Sequence, residues 1–231
     1  MNNIPISNKI PELDLAIKAA QEAGNIILKI YEKGFKTFTK TDNSLVTDAD
    51  LQSNKIIKEI LSVTKHSILS EEDVDDKNRL SNDMIWIIDP LDGTSDFIDK
   101  TGEFTVMIAL IENQKPILGV IAWPTEKTLF VAQKNCGAFR YSDNKWEKIS
   151  VTKISELPKC RTIGSRHHLS DKEKDFIEKI GIKDFTSIGS SLKVGKISSG
   201  QAEVYITTTN KMKEWDTAAS HCIISEAGGK M

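Results

Sequence analysis

Ile85-Trp86-Ile87-Ile88-Asp89-Pro90-Leu91-Asp92-Gly93-Thr94 is the stretch on which this 231-residue chain turns. An apolar run, Met84–Ile88, leads straight into two carboxylates three positions apart, and Gly-Thr follows. A run that short and that apolar fits a buried strand. Pro90 has no N–H to give a ladder, so the strand is expected to end there. A turn beyond it can aim Asp89, Asp92 and the Leu91 carbonyl at one point. Such oxygen donors suit magnesium, a hard cation that prefers octahedral oxygen ligands. Gly93 lets backbone and an anionic ligand come close. Thr94 is either a turn residue or a hydroxyl that holds a water. An ordinary Asp-Gly turn with Asp89 as a polar strand end competes with all of this.

Two other acidic segments gain meaning from that stretch. Upstream, Ser70-Glu71-Glu72-Asp73 follows the apolar pair Ile68-Leu69. A run of acids through Asp76 ordinarily marks a solvated loop, but its place at a strand end makes Glu71 a candidate ligand. Downstream, Glu214-Trp215-Asp216-Thr217-Ala218-Ala219 puts Asp216 where a helix begins. It is either a plain N-cap or a metal-binding acid at a helix end that also favours phosphate. Asp50 is either the N3 partner of Thr47 in a capping box or the group that orients and deprotonates a water. Gly189-Ser190-Ser191 caps a helix, touches a ligand, or both. His167-His168 suggests a metal, but adjacent side chains rarely converge, and a surface or substrate-edge place suits them better.

The remaining elements follow from periodicity. Leu13, Ala16, Ala20, Ala23, Ile27 and Ile30 recur at helical spacing, with Gly34 as a stop. A second helix opens at Thr47-Asp48-Ala49-Asp50, with Leu51, Ile57, Ile60 and Leu61 expected to face inward. Phe104–Ile111 and Ile117–Trp123 read as strands of a hairpin, and Thr128–Gln133 and Ala138–Tyr141 as two more around Cys136-Gly137. A second half begins near Lys153–Lys159. There, strands at Arg161–Ser165, Phe185–Ile188 and Glu203–Thr207 alternate with helices at Ser170–Ile180, Ser191–Ser199 and Thr217–Ala227. The expected division is residues 1–152, carrying most of the candidate ligands, and 153–231, carrying Asp216. An antiparallel-rich first half and an alternating second half predict an α+β protein of stacked layers.

Composition excludes several function classes. A net charge of -2, from 31 basic and 33 acidic residues, argues against a nucleic-acid polymer as partner. Three scattered cysteines without a CxxC pair argue against a disulfide framework or zinc site and favour a reducing compartment. The first residues, MNNIPISNKI, show no signal peptide. No apolar run is long enough to cross a bilayer. A cytoplasmic place is expected, with peripheral contact at the inner membrane face left open.

Taken together, Glu71-Glu72, Asp89-Pro90-Leu91-Asp92-Gly93-Thr94, and Trp215-Asp216 before a helix and Gly228-Gly229 resemble the lithium-sensitive inositol monophosphatase-like superfamily. Further stretches are similar to the 3′(2′),5′-bisphosphate nucleotidases of the CysQ type. They include Gly102-Glu103-Phe104-Thr105-Val106, Lys115-Pro116-Ile117-Leu118-Gly119-Val120, Ser165-Arg166-His167 and Ser187-Ile188-Gly189-Ser190-Ser191-Leu192-Lys193. The resemblance implies a layered α-β-α-β-α sugar-phosphatase-like fold. It also implies removal of the 3′-phosphate of 3′-phosphoadenosine 5′-phosphate to give AMP, without a phosphoenzyme. Two or three Mg2+ ions would be held by Glu71, Asp89, the Leu91 carbonyl, Asp92 and Asp216. Asp50 and Thr94, with Glu71, would position the attacking water. Glu71, Leu91, Asp92, Gly93, Thr94, Ser190, Lys193 and Asp216 would line the substrate. The implied partner is a small nucleotide bisphosphate, no stable protein partner is implied, and the protein would be a monomer or homodimer.

Three departures from the pattern stand out. Ser95-Asp96 replaces the Lys-Glu common after Asp-Gly-Thr, a change expected to matter little. Thr207-Thr208-Thr209, with Lys211 and Lys213 later, stands where an arginine is common. Relatives continue for a few tens of residues past Gly229-Lys230-Met231, so the second half is expected to be C-terminally shortened. Competing functions are an inositol or sugar phosphate phosphatase of the same superfamily and a catalytically dead nucleotide- or metal-binding relative. The haloacid-dehalogenase type is disfavoured, because its two acids are spaced Asp-x-Asp and these are Asp-x-x-Asp.

Overall fold

A computed structural model of the chain describes residues 4–41, 43–210 and 212–231. Helix α1 (Pro11–Lys33) opens with proline in its first turn, where the missing N–H costs nothing. It closes at Gly34, whose φ of 98° places it in the region glycine adopts freely. A short antiparallel hairpin, β1 (Thr37–Thr39) and β2 (Leu45–Thr47), leads into α2 (Asp48–Leu61). The Thr47–Asp50 capping box is present. The buried face of α2 is Ala49, Asp50, Ser53, Asn54, Ile57 and Leu61, and Ile60 is partly buried. Leu51, expected inward, is 47% exposed. The inward stripe follows the i, i+4 row through Ala49, Ser53, Ile57 and Leu61, and Leu51 lies off that row.

The large sheet has seven strands in sequence order. They are β3 (Ser67–Ser70), β4 (Met84–Asp92), β5 (Thr105–Glu112), β6 (Lys115–Trp123), β7 (Thr128–Gln133), β8 (Gly137–Ser142) and β9 (Lys145–Ile149). Only β3 and β4 pair in parallel. A short helix, α3 (Thr94–Ile98), follows β4. Side-chain alternation along β4 divides the core. Trp86 and Ile88 face α1 and α2, whereas Ile85 and Ile87 face the opposite layer with Ala219 and Ile223. Strand β4 does not stop at Pro90. It continues to Asp92 through a shift of register, with Asp89 opposite Met107 and Asp92 opposite Thr105. A bulge there leaves Pro90 without a ladder donor to supply, so the ring is accommodated rather than terminating the strand.

The second sheet is parallel, in the order β11-β10-β12. Its strands are β10 (Arg161–Ser165), β11 (Asp184–Ile188) and β12 (Val204–Tyr205). Helix α4 (Asp171–Lys179) opens on a Ser170–Glu173 capping box. Ile177 of α4 packs with Cys160, Ile182 and Val204 on one side of this sheet, while Leu192 and Ile197 of α5 (Leu192–Ser198) pack with Ile163 and Ile188 on the other. Helix α6 (Glu214–Glu226) lies on the large sheet, with Ala218, Ala219, Cys222 and Ile223 against β5, β6 and β7. The resulting layers are α1/α2, large sheet, α5/α6, small sheet, α4, which is the layered α-β-α-β-α arrangement expected. Strand β12 and helix α5 are shorter than anticipated, and α6 begins three residues earlier.

Candidate active site

Parallel pairing of β3 with β4 brings the first acids together. Ser70 lies opposite Ile88, and the Glu71 N–H donates to the Ile88 carbonyl at 3.3 Å. Glu71 and Asp89 therefore leave neighbouring strands at the same edge. Beyond Asp89 the bulge turns the Leu91 side chain into the core, where it is 1% exposed. The Leu91 N–H donates to Asp89 Oδ1 at 3.1 Å, and Ser53 Oγ donates to the Pro90 carbonyl at 2.7 Å. The polar inward face of α2 thus braces the bulge. Asn54 continues that brace: its Oδ1 accepts from Ser70 Oγ at 2.8 Å and its Nδ2 donates to Asp73 at 3.1 Å.

Asp216 arrives from the other end of the chain. It is the third residue of α6, not its N-cap. Lys213 occupies the cap, and its N–H donates to Asp216 Oδ2 at 2.6 Å. The sequence-based N-cap expectation fails because Glu214 and Trp215 are already helical. Asp89, Asp92 and Asp216 offer carboxylate oxygens that all lie within 4.8 Å of one another. Glu71 stands beside Asp89 and pairs with Lys40 Nζ at 3.4 Å; Lys40 also pairs with Glu72 at 2.8 Å. Asp50 faces the same pocket from the start of α2. Its Oδ2 accepts from the Thr47 N–H at 2.7 Å, leaving Oδ1 to accept from Thr94 Oγ1 at 3.0 Å. Thr94 Oγ1 also lies 3.4 Å from the Leu91 carbonyl.

Gly93 and the Gly189–Lys193 turn flank the acids. Gly93 has φ 91°, and a Cβ on it would lie 3.0 Å from Ser190 Cβ. Any larger residue here is both strained and crowded. Asp92 Oδ2 accepts from the Ser191 N–H and from Thr105 Oγ1 at 3.3 Å. Lys193 is buried, donates to the Ser190 carbonyl and sits 5.4 Å from the centre of the Tyr205 ring. All of the candidate residues thus border one region, where the end of β4 meets the N-termini of α2, α3 and α6 and the turn before α5.

Electrostatics of the pocket follow from crowding acids away from water. Burial, with the charges of Glu72 and Asp216, pushes Glu71 up to about 7 despite Lys40. Asp89 is raised well above the ordinary carboxylate range by burial and by Glu71, Asp92 and Asp216. Burial and Asp92 raise Asp216 to about 6. Burial also raises Asp50, against the hydrogen bonds from Thr47 and Thr94. Lys193 is lowered by burial, which outweighs the surrounding carboxylates. Acids this close hold protons unless a cation screens them. A donor set of carboxylate oxygens plus a backbone carbonyl fits a hard divalent cation.

Several neighbours had no signal in the sequence. Lys40 belongs to the short β1–β2 hairpin, which has no apolar period to reveal it. Arg79 is 8% exposed and spans Asp75 at 2.7 Å and Glu214 at 3.2 Å, tying the loop after Glu71 to the start of α6. Asp96, to which the sequence assigns no role beyond its departure from a Lys-Glu pattern, is 2% exposed and lies 3.2 Å from Arg166 and 3.3 Å from His167. The rings of His167 and His168 are 6.4 Å apart and do not converge. Lys213 is the cap of α6, and Lys211 lies outside the described residues.

This arrangement has a counterpart among known proteins. The inositol monophosphatase family profile matches residues 10–231. The chain belongs to the inositol monophosphatase family. Among its relatives is the 3′(2′),5′-bisphosphate nucleotidase CysQ of Buchnera aphidicola, 38% identical over 229 residues, spanning 95% of this chain and 83% of that protein. The crystal structure of CysQ from Bacteroides thetaiotaomicron matches with a TM-score of 0.81 at 36% identity, covering 94% of this chain and 86% of that one. The inositol monophosphatase of Thermotoga maritima matches with a TM-score of 0.82 at 27% identity, over 95% and 84%. Within the inositol monophosphatase family, then, this chain is similar both to nucleotide and to inositol phosphatases.

Proposed function

We propose that this chain is a magnesium-dependent 3′(2′),5′-bisphosphate nucleotidase that converts 3′-phosphoadenosine 5′-phosphate to AMP and phosphate. The observation that carries the chemistry is the convergence of Asp89, Asp92 and Asp216 within 4.8 Å beside Gly93 and Thr94. Similarity to CysQ nucleotidases at 36–38% identity supports the choice of substrate. Glu71, Asp89 and the Leu91 carbonyl would hold one Mg2+, and Asp89, Asp92 and Asp216 a second, with Glu71 available to a third. When bound, the metal supplies charge neutralisation at the phosphate and a more acidic water.

The protein residues do the rest. Asp50 Oδ1 and Thr94 Oγ1 form a hydrogen-bonded pair that orients a water and receives its proton. Asp50 suits this work, since burial lifts its affinity for a proton. The Gly93 and Thr94 amides, at the first turn of α3, face the phosphate. Ser190 and the buried Lys193 face the nucleotide from the far wall. Fixing phosphate and water together removes most of the entropic barrier to in-line attack. The enzyme is proposed to work in the cytoplasm; among the described residues, no helix is long and apolar enough to cross a membrane.

The test is phosphate release from 3′-phosphoadenosine 5′-phosphate and from inositol 1-phosphate, side by side, with Mg2+ and with or without Li+. Preference for the nucleotide, inhibited by Li+, supports the proposal. Preference for inositol 1-phosphate keeps the site and rejects the substrate. No release from either by folded protein rejects both.

A further inference from the structure

Outside the acidic cluster, a second group of charges bridges the two sheets. Arg166, at the end of β10, lies 3.2 Å from Asp96 Oδ1 and donates from Nε to Glu103 Oε2 at 3.2 Å. The same Glu103 oxygen accepts from the Gly189 N–H at 2.6 Å. Asp96 also accepts from Thr101 Oγ1 at 2.9 Å. Its carboxylate fills the space where a Cβ on residue 189 would stand, so glycine is needed there for close approach. On the other side of Ser190, Ser191 gives its N–H to Asp92, and its Oγ is 2.7 Å from Thr105 Oγ1.

Ser190 is therefore flanked by two residues whose amides are both held by carboxylates from the large-sheet side. It has φ 47°, a left-handed conformation that a non-glycine residue keeps only when its surroundings over-determine it. The buried Lys193 donates to its carbonyl. These bonds hold the turn on both sides of Ser190 and at its carbonyl.

The geometry points to Glu103 and Arg166 as a positioning pair that holds the Gly189–Lys193 turn against Gly93–Thr94 and so sets substrate affinity. Glu103 pins the turn, and Arg166 pins Glu103. This inference rests on the nucleotidase reading for its substrate, since a nucleotide must reach from Gly93–Thr94 to Ser190 and Lys193. Neither residue touches a reacting atom. Their loss leaves the chemical step intact and removes preorganisation of the far wall, which appears in KM rather than kcat.

The experiment compares Glu103→Ala, Arg166→Leu and Glu103→Gln, the last of which keeps an oxygen for the Gly189 N–H. The alanine and leucine variants are expected to raise KM for 3′-phosphoadenosine 5′-phosphate about tenfold, as loss of a charge-assisted hydrogen bond implies. Their kcat should stay within about twofold, and the Ki of inorganic phosphate, which needs only the Gly93–Thr94 end, should not move. Glu103→Gln, which keeps the Gly189 acceptor but loses the charge that pairs with Arg166, should raise KM less than Glu103→Ala, and the double variant Glu103→Ala/Arg166→Leu should be no worse than either single change. Amide exchange gives a readout independent of turnover: protection at Gly189 and Ser191 falls in the alanine and leucine variants and falls less in Glu103→Gln, which keeps an acceptor for the Gly189 N–H. Unchanged KM with unchanged protection overturns the inference, as does an equal rise in KM and phosphate Ki. If the wild-type protein releases no phosphate from the nucleotide, the functional reading fails by itself. The exchange data then decide the clamp, supporting it if protection is lost and rejecting it if protection remains.

Discussion

Gly119→Ala is expected to disable the enzyme from a position outside its pocket. Gly119 lies on β6 directly beneath α6. A Cβ there would stand 2.6 Å from the Ala219 carbonyl oxygen and 3.1 Å from both Ala219 Cα and Cys222 Cβ. The nearest atoms are backbone, so no rotamer change relieves the conflict. Restoring ordinary contact at 3.4 Å requires the helix to retreat by about 0.8 Å. Overpacking of this kind costs about 1–3 kcal/mol. For a chain of this length that lowers Tm by roughly 2–12 °C. Asp216 stands one turn before Ala219 on the same helix and moves with it, away from Asp89 and Asp92. Misplacement approaching 1 Å costs up to about a hundredfold in rate, so kcat/KM should fall roughly 10–100-fold. Thermal melts and phosphate release read the two effects. Adding Cys222→Ala removes Sγ but keeps Cβ, so it relieves none of these contacts and should not restore activity. A Gly119→Ala protein with wild-type Tm and full turnover would refute the placement of α6.

Asp216→Asn should abolish phosphate release while raising the stability of the metal-free protein at pH 7 by on the order of 1–2 kcal/mol, because it removes one of the repelling charges and keeps an oxygen for the Lys213 N–H. A melt in chelator that shows the variant no more stable than wild type would count against crowding as the cause. In metal-free wild type, burial and mutual repulsion raise Glu71 to about 7 and Asp216 to about 6, against about 4 in the unfolded chain. The folded state then binds more protons, so this contribution to stability is full below about pH 4 and lost as pH rises toward 7. Melts at pH 5 and pH 7 in chelator should show that loss, with a shallower slope in Asp216→Asn; equal slopes would contradict it. Millimolar Mg2+ at pH 7 should raise Tm in the wild type and fail to do so in Asp89→Asn. Asp50→Asn should cut kcat at least about a hundredfold, the scale of lost general-base catalysis, with Mg2+-induced stabilisation retained; loss of that stabilisation would recast Asp50 as a metal ligand.

The layers and the principal acids were legible because they rest on local signals. Apolar runs at Met84–Ile88, Phe104–Ile111 and Ile117–Trp123 give strands whichever partners they find. The Thr47–Asp50 box and Gly34 bound their helices through backbone hydrogen bonding alone. Non-local facts were not legible. Pro90 signals a strand end from its own chemistry, and only pairing with β5 reveals that a bulge absorbs it. Leu51 looks like a core residue until the neighbours of α2 select the polar row of Ser53 and Asn54 to brace β3 and β4. The buried place of Asp96 was not legible because its partners, Arg166 and His167, lie some seventy positions away in sequence. Strand β9 (Lys145–Ile149) is largely exposed, so its apolar signal is weak, although it completes the sheet.

The acids of the candidate site are made in a fixed order during synthesis. Glu71, Asp89 and Asp92 emerge early, with the strands that hold them, whereas Asp216 follows Asp92 by more than a hundred residues. A nascent chain therefore carries an incomplete acidic cluster until Asp216 is made, with Lys40 beside Glu71 as a built-in cation. Helix α6 then supplies both the last carboxylate and the apolar cover of the large sheet. Completion of the acidic cluster and burial of that sheet face become one event, so a chain that has gathered its carboxylates has also covered its largest apolar surface.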